Sequence, residues 1–285
     1  ILIYALRDLK RNYKKISSII ITLFISLFIL SAIFTIEDSL KKELKENAKE
    51  LLGGDLEIDY NRNQGNIDLL NKVEEFSTIS EMVEFSTMLS TTNREKNKSL
   101  FTRIKTVDQK YPLYGEVTYE PADAYERMQR EPNTILNNES LSKTLNIKTN
   151  EIVKIQDQEF LVIGKVRSVP DVSGFVTFGD WVLTGKQTLD ILKLNGIGNF
   201  LNYEYKVKFN NNDNPEIIIK KIESIFKDDQ KVKIRYPENA ASGLKRVIGN
   251  FSQFLSLVSI SEMLIAGIGI ANPRLSFINQ NNLSI

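Results

Sequence analysis

The residue whose position most invites a chemical role is Glu262, the only charged residue between Phe251 and Ala271. Small and polar residues recur around it at spacings of three and four, which places them on one face of a helix. The residues of this face are Ser252, Ser256, Ser259, Glu262, Ala266 and Gly269. Such a face lets helices pack closely in lipid and shields an acid from the lipid. Glu262 could act as a coupling or pathway acid; the alternatives are a structural hydrogen bond to a neighbouring helix, or a neutral, protonated acid.

The sequence nominates no catalytic, cofactor-binding or metal-binding residue. It contains no histidine and no cysteine, which excludes zinc fingers, disulfide frameworks, thiol nucleophiles and imidazole bases. Gly185-Lys186 would suit a phosphate-binding loop, but Asp180 and Gln187 stand where that loop needs Gly and Ser or Thr. The 37 Lys and Arg balance 36 Asp and Glu to a net charge of +1, which argues against bulk electrostatic binding of nucleic acid. We expect no cofactor, no metal, no nucleic-acid partner and no enzymatic activity.

Two long apolar stretches predict the elements that position these residues. Ile16 to Ile36 contains no charged residue, and a helix of that length spans about 30 Å, the thickness of a bilayer core. The stretch is longer than the apolar region of a signal peptide, which has about 7–15 residues. Phe251 to Ala271 has the same length. We predict transmembrane helices over residues 16–36 and 251–271; the alternative for the first stretch is a buried helix of a soluble protein.

The charges that flank the first stretch predict its orientation. Basic residues remain on the cytoplasmic side of a membrane helix, and five precede residue 16: Arg7, Lys10, Arg11, Lys14 and Lys15. We therefore predict a multi-pass protein of the bacterial inner membrane. In this prediction residues 1–15 and 272–285 are cytoplasmic, and residues 37–250 form a periplasmic domain.

The predicted periplasmic part reads as an α/β domain joined to the membrane by a helical stalk. Asp38 to Leu52 is charged and strongly helical, and Gly53-Gly54 ends it. Asp55 to Tyr60 alternates polar and apolar residues, which is typical of a half-buried strand. Four prolines fall between residues 112 and 185, where we predict an inserted β-rich subdomain. The predicted fold class is an α+β membrane protein, with two transmembrane helices flanking this domain.

The remaining periodicities place further elements in the domain. Predicted helices cover residues 66–76, 139–145 and 214–226. Predicted strands cover residues 82–89, 100–107, 151–155, 159–166, 203–209 and 231–236.

Several segments occur in an order that resembles a known family. ALRDLKRN (Ala5–Asn12) precedes the first apolar stretch, LLGGDLEI (Leu51–Ile58) follows the stalk, and AGIGIAN (Ala266–Asn272) comes late in the chain. This order resembles the FtsX-like permeases of ABC transporters, the MacB-type superfamily. Within it the chain looks most like the YbbP-type predicted permeases and is similar to the LolC/LolE lipoprotein-release permeases. Since the family continues with further membrane helices and this chain begins with Ile1, we expect an N-terminal fragment of a longer protein.

The resemblance also implies a function. It implies a permease subunit that binds no nucleotide itself and is moved by a separate ATPase subunit through the stalks, a process of mechanotransmission. The implied partners are that ATPase, a second permease copy or paralogue in a dimer, membrane lipids and a periplasmic protein. The implied substrate is a lipid, a lipoprotein or a hydrophobic compound. The alternatives are a membrane-anchored regulatory subunit that activates a periplasmic partner without transport, and a membrane-bound hydrolase.

Overall fold

Residues 13–92, 98–171, 179–194, 201–210, 214–240, 245–261 and 264 are described by a computed structural model of the chain. The chain divides into two compact units. The helical unit combines its two ends, Ile1–Leu44 and Ser242–Ile285, and the α/β unit is formed by the middle, Lys45–Ala241.

The described part of the helical unit contains one long helix and one shorter helix. Helix α1 (Tyr13–Glu46) is continuous over 34 residues and includes both the apolar stretch and the first part of the predicted stalk. A second helix covers residues 245–261. Large apolar side chains are exposed on both, among them Phe24, Phe28 and Phe254. Within the described residues, no helix combines the length and the apolar character that crossing a membrane requires, so the two spans stay predictions.

The stalk ends where the glycine pair predicted it would. After α1 a short helix, α2 (Ala48–Leu52), stops at Gly53, which has a φ of +77°. Glycine adopts this left-handed conformation without the steric cost that a Cβ would bring. The amides of Gly53 and Gly54 donate to the carbonyls of Glu50 and Lys49 and so close the last turn.

A ten-stranded mixed sheet forms the centre of the α/β unit. Its strands are β1 (Leu56–Tyr60), β2 (Ser77–Thr91), β3 (Ser99–Val107), β4 (Thr118–Glu120), β5 (Thr134–Asn138), β6 (Ile152–Ile155), β7 (Gln158–Ser168), β8 (Trp181–Gly185), β9 (Asn202–Phe209) and β10 (Lys233–Arg235). The spatial order is β10-β1-β9-β2-β3-β8-β5-β7-β4, and β6 pairs with β2 and β7. The pairs β3–β8 and β5–β7 are parallel, and the other neighbours are antiparallel.

Six further helices lie in the part of the α/β unit that the structure describes. They are α3 (Ile67–Glu74), α4 (Ala124–Arg130), α5 (Glu139–Leu145), α6 (Thr188–Ile191), α7 (Pro215–Ile225) and α8 (Pro237–Ala240). The asparagines Asn66, Asn138 and Asn214 cap α3, α5 and α7 by accepting backbone N–H groups. The last helix, α8, packs against α2, so the beginning and the end of this unit are in contact.

The two faces of the sheet differ in chemistry. One face carries the larger hydrophobic core, in which Ile58 and Val83 of the strands pack with Val73 of α3 and Ile222 of α7. Along the β8-β5-β7 part of the other face, α4 covers a second core that includes Met128, Trp181 and Leu183. Along the β1-β9-β2-β3 part of that face, buried charged side chains lie beside the apolar Met82 and Val107.

The mixed α/β domain predicted from the sequence is confirmed. Helix α5 has the predicted bounds, and α3 and α7 lie within the predicted ranges. The half-buried character predicted for residues 55–60 is wrong, since every residue of β1 is buried. The strands of the predicted insertion, residues 112–185, belong to the same sheet as β1, β2 and β3.

Candidate functional site

The residues nominated by the sequence lie partly in the described C-terminal helix. Ser252 and Ser259 are buried and Ser256 is half-buried, whereas Phe251, Phe254 and Leu257 are exposed. Ser252 forms a side-chain hydrogen bond with Glu37 of α1. The three serines therefore face the interior of the helical unit. Glu262, Ala266 and Gly269 lie outside the described residues, and the role of the whole face stays a prediction.

A second candidate site was not predicted and consists of buried charges on one face of the sheet. Charged positions alternate along the central strands: Glu57 and Asp59 on β1, Glu204 and Lys206 on β9, Glu84 on β2 and Lys105 on β3. The strand register brings them side by side, with Glu57 opposite Lys206, Asp59 opposite Glu204 and Glu84 opposite Lys105. Together with Asp171, we call these residues the ion network.

Each buried lysine of the ion network binds carboxylates directly. Lys206 Nζ donates to Glu57 Oε2 at 2.5 Å and to Glu204 Oε2 at 2.9 Å. Lys105 Nζ donates to Asp171 Oδ2 at 2.6 Å, with both side chains fully buried. The other Asp171 oxygen accepts the hydroxyl of Tyr111. Strong charge-assisted hydrogen bonds of this kind are what permits charges to remain buried.

At the edge of the sheet the ion network reaches a partly exposed arginine. Arg235 of β10 contacts Glu57 Oε1 at 3.1 Å and Asp59 Oδ2 at 2.6 Å. The side chain of Arg235 is one-third exposed. This rim position lets the guanidinium keep contact with solvent while it neutralises two carboxylates from β1.

The pKa shifts follow from burial and from these contacts. Burial acts to lower the pKa of Lys206, but the carboxylates of Glu204 and Glu57 outweigh it and raise that pKa above its usual value. Burial raises the pKa of Glu57 although Lys206 opposes the rise. Burial and the neighbouring Asp171 raise the pKa of the Tyr111 phenol, which therefore stays protonated and donates. The lysine remains charged and forms the electrostatic centre of the group.

Gly53, at the end of the stalk, packs against two side chains of the ion network. A Cβ placed on Gly53 would lie 3.1 Å from Asp171 Cβ and 3.6 Å from Lys206 Cδ. Glycine at this position therefore allows the backbone to approach these two side chains closely.

A second anchor holds the same corner through Asp55. Its carboxylate forms an ion pair with Lys49 of α2 at 2.7 Å, accepts the Tyr114 hydroxyl at 2.8 Å and accepts the backbone amide of Phe209 at 2.9 Å. One carboxylate thus joins the stalk end, the 111–115 segment and strand β9. A displacement of α2 would disturb all three attachments.

The chemistry available to this site is electrostatic. No group of metal-ligating side chains occurs among the described residues. Ion pairs link β1 to β9 and to β10. A further ion pair links β3 to the segment after β7. The sequence carried a signal that could have found it, because the strand-like stretches 55–60 and 203–208 place complementary charges at alternate positions.

Comparison with known proteins finds similarity at the level of solved structures. No protein-family model matches the chain, and no curated protein matches it. The fold is similar to the periplasmic region of MacB from Actinobacillus actinomycetemcomitans, with 14% identity, a TM-score of 0.49 and coverage of 68% of this chain and 94% of that one. It is also similar to the extracellular domain of the noncanonic ABC-type transporter YknZ from Gram-positive bacteria, with 8% identity, a TM-score of 0.43 and coverage of 63% and 99%.

Proposed function

We propose that this chain is a permease subunit of an ABC transporter of the MacB/FtsX type. In this proposal a separate ATPase subunit binds and hydrolyses ATP, and a second permease copy or paralogue completes a dimer. The movement reaches a periplasmic domain, which exports or extracts a lipid, a lipoprotein or a hydrophobic compound.

The observation that carries the proposal is the continuity of α1. One helix includes the uncharged stretch 16–36 and the charged residues that follow it, up to Glu46. After one residue α2 continues to Gly53, which contacts the ion network. A helix transmits an axial or tilting force well because each residue is hydrogen-bonded within it. This arrangement supports a stalk that couples a membrane segment to an α/β domain.

The proposed topology places residues 16–36 and 251–271 in the inner membrane and the α/β unit in the periplasm. Thiol labelling tests it cleanly, because the chain has no cysteine of its own. Asp157, exposed in the turn between β6 and β7, is replaced by cysteine. A membrane-impermeant maleimide should label it in intact spheroplasts. The matched Asn12→Cys variant should react only after lysis, and protection of Asp157→Cys before lysis contradicts the topology.

The proposed division of labour is tested with the purified chain. In detergent or nanodiscs it should show no ATP hydrolysis above the background of a mock purification. Hydrolysis that follows the chain through every purification step would overturn the assignment of ATPase activity to a partner.

Transport is tested after reconstitution of the chain with its partner ABC-type ATPase. Loss of a fluorescent lipid or lipopeptide from vesicles on addition of ATP, but not of a non-hydrolysable analogue, is the expected result. Activation of a periplasmic enzyme without any such loss would favour the regulatory alternative.

A further inference from the structure

The buried charges of the ion network do not pair completely. Of its two lysines, Lys105 binds Asp171, and Lys206 binds Glu57 and Glu204. At the edge of the sheet, Arg235 forms ion pairs with Glu57 and Asp59. Glu84 shares this face, and the structure gives it no ion pair with any of these cations.

Glu84 is buried in the middle of this group with an unsatisfied oxygen. Only 7% of the residue is exposed, and its Oε1 has no hydrogen-bond partner among the described residues. Lys105 lies opposite Glu84 on β3, but its ammonium binds Asp171 at 2.6 Å. An ionised carboxylate left buried in this way is costly, whereas the protonated acid is neutral.

We propose that Glu84 is a proton-binding group whose ionisation loosens the contact between the ion network and the Gly53 end of the stalk. The charged groups that act on Glu84 come from three directions: Glu204 on β9, Arg103 and Lys105 on β3, and Asp171 from the segment after β7. The Tyr111 hydroxyl also lies in this group, bound to Asp171. From the end of the stalk, the backbone of Gly53 approaches Asp171 and Lys206.

The electrostatic balance at Glu84 agrees with this geometry. Burial, together with the negative charges of Glu204 and Asp171, raises the pKa of Glu84 to about 8 against the opposing charges of Lys105 and Arg103. Glu84 is therefore mainly protonated at neutral pH and loses its proton at mildly alkaline pH. Its negative charge then repels Glu204 and Asp171.

The repulsion acts on side chains that support the stalk. Asp171 packs against Gly53, and Glu204 shares Lys206 with Glu57, while the stem of Lys206 also packs against Gly53. Proton loss thus weakens a contact at the base of the stalk. That the group senses the pH outside the cytoplasm rests on the proposed topology; proton binding by Glu84 does not.

The titration can be followed with the chain's single tryptophan. Trp181 is buried on β8 and lies opposite Arg103, beside the ion network. In the full chain in nanodiscs, its fluorescence from pH 6 to 9.5 should show a transition with a midpoint near 8. Glu84→Gln should abolish the transition. Glu204→Gln removes a like charge and should move the midpoint down by about 1, while the exposed control Glu159→Gln should leave it unchanged.

Amide hydrogen exchange of residues 48–55 tests the consequence at the stalk. Wild type and Glu84→Gln are compared at the same pH, so that intrinsic exchange rates cancel. They should match at pH 6.5, and wild type should exchange several-fold faster at pH 9.

Two results would overturn the proposal: a transition that persists in Glu84→Gln, or a midpoint that does not move in Glu204→Gln. Equal exchange of wild type and Glu84→Gln at pH 9 would overturn the link to the stalk. If both tests succeed while labelling places Asp157 in the cytoplasm, the proton site stands and the proposed function fails.

Discussion

At the scale of single residues, the α/β unit depends on charges that it cannot expose. The carboxylates of Glu57 and Glu204 are tolerated inside the protein because Lys206 neutralises them. Removing one partner leaves the other charge buried and unpaired, which costs far more than the pair itself contributes. Removing one partner of an ion pair on the protein surface changes the stability little, since water solvates the charge that remains.

Replacing Lys206 tests this dependence. Lys206→Met keeps the aliphatic stem and leaves Glu57 and Glu204 without their shared cation, so the free energy of unfolding should fall by about 3–5 kcal/mol. Urea unfolding monitored by Trp181 fluorescence measures it. In the control, Lys143→Met, the lost pair with Glu139 is exposed, and no measurable change is expected. Equal stability of Lys206→Met and wild type would show that the pairing does not stabilise the fold.

Glu84 makes the stability of the fold depend on pH in a defined direction. Its pKa rises from 4.5 to about 8 on folding, so the folded state holds a proton that the unfolded state releases. The stability associated with that proton is complete below pH 4.5 and is lost as pH rises to 8. The Glu84→Gln variant carries no titrating group at this position and does not lose this stability. The free energy of unfolding of the variant minus that of wild type should therefore increase by about 3–5 kcal/mol between pH 5 and pH 8.5. A constant difference across that range would contradict the assignment.

At the scale of elements, the sequence predicted well where local signals agreed. Helices α3 and α7 follow asparagine caps and carry apolar residues at helical spacing, and Gly53 is needed for the left-handed end of α2. Helix α4 and strand β5 were missed because their neighbours in the fold, not their own patterns, fix them. The alternation in β1 is typical of a strand with one solvent-exposed face. Its polar positions, Glu57 and Asp59, instead pair with Lys206 and Arg235, which lie about 150 and 180 residues away in the chain.

Gly53→Ala tests the packing of the stalk on the sheet. The new Cβ meets Asp171 at 3.1 Å and forces alanine to a φ of +77°, so a loss of about 1–3 kcal/mol in unfolding free energy is expected. Gly179→Ala serves as the control, because Gly179 has a φ of +95° but a Cβ added there would meet no described atom within 4 Å. Gly179→Ala should lower the free energy of unfolding only by the cost of backbone strain. A larger decrease in Gly179→Ala than in Gly53→Ala would count against the packing argument.

A larger side chain at Ser259 tests whether the buried serines of the helix over residues 245–261 pack against α1. Ser259 is buried and Ser261, two residues on, is exposed. With Glu37→Cys and Ser252→Cys as a pair, a short thiol crosslinker should join α1 to this helix. Ser259→Leu overpacks the contact and should lower the crosslinking yield roughly twofold or more, whereas Ser261→Leu should leave it unchanged. Equal yields would show that Ser259 does not lie at a helix contact.

At the scale of the whole molecule, a helical unit built from both chain ends is combined with an α/β unit built from the middle. From two strongly apolar stretches the sequence predicts a domain over residues 37–250, and these bounds stay a prediction. It could not show that residues 112–185 join the central sheet, since strand pairing across such distances leaves no local pattern. The same limit hid the ion network, which assembles only when β1, β9, β2 and β3 lie side by side.

The α/β unit should fold without the helical unit. It has two hydrophobic cores of its own, and its ends meet. Residues 45–241 produced alone should be monomeric and unfold cooperatively in urea, with circular dichroism and Trp181 fluorescence giving coincident transitions. Non-coincident transitions, or a broad transition without cooperativity, would show that the cores need the flanking helices.

The contact between α2 and α8 has an evolutionary consequence. The chain enters and leaves the α/β unit at neighbouring points, as in insertions that protein folds tolerate readily. Recombination could exchange such a unit for another of the same end-to-end spacing without changing the register of the helices on either side. Under the proposed function, substrate range could then diversify by replacement of the domain, while the part of the protein that the ATPase drives stays the same.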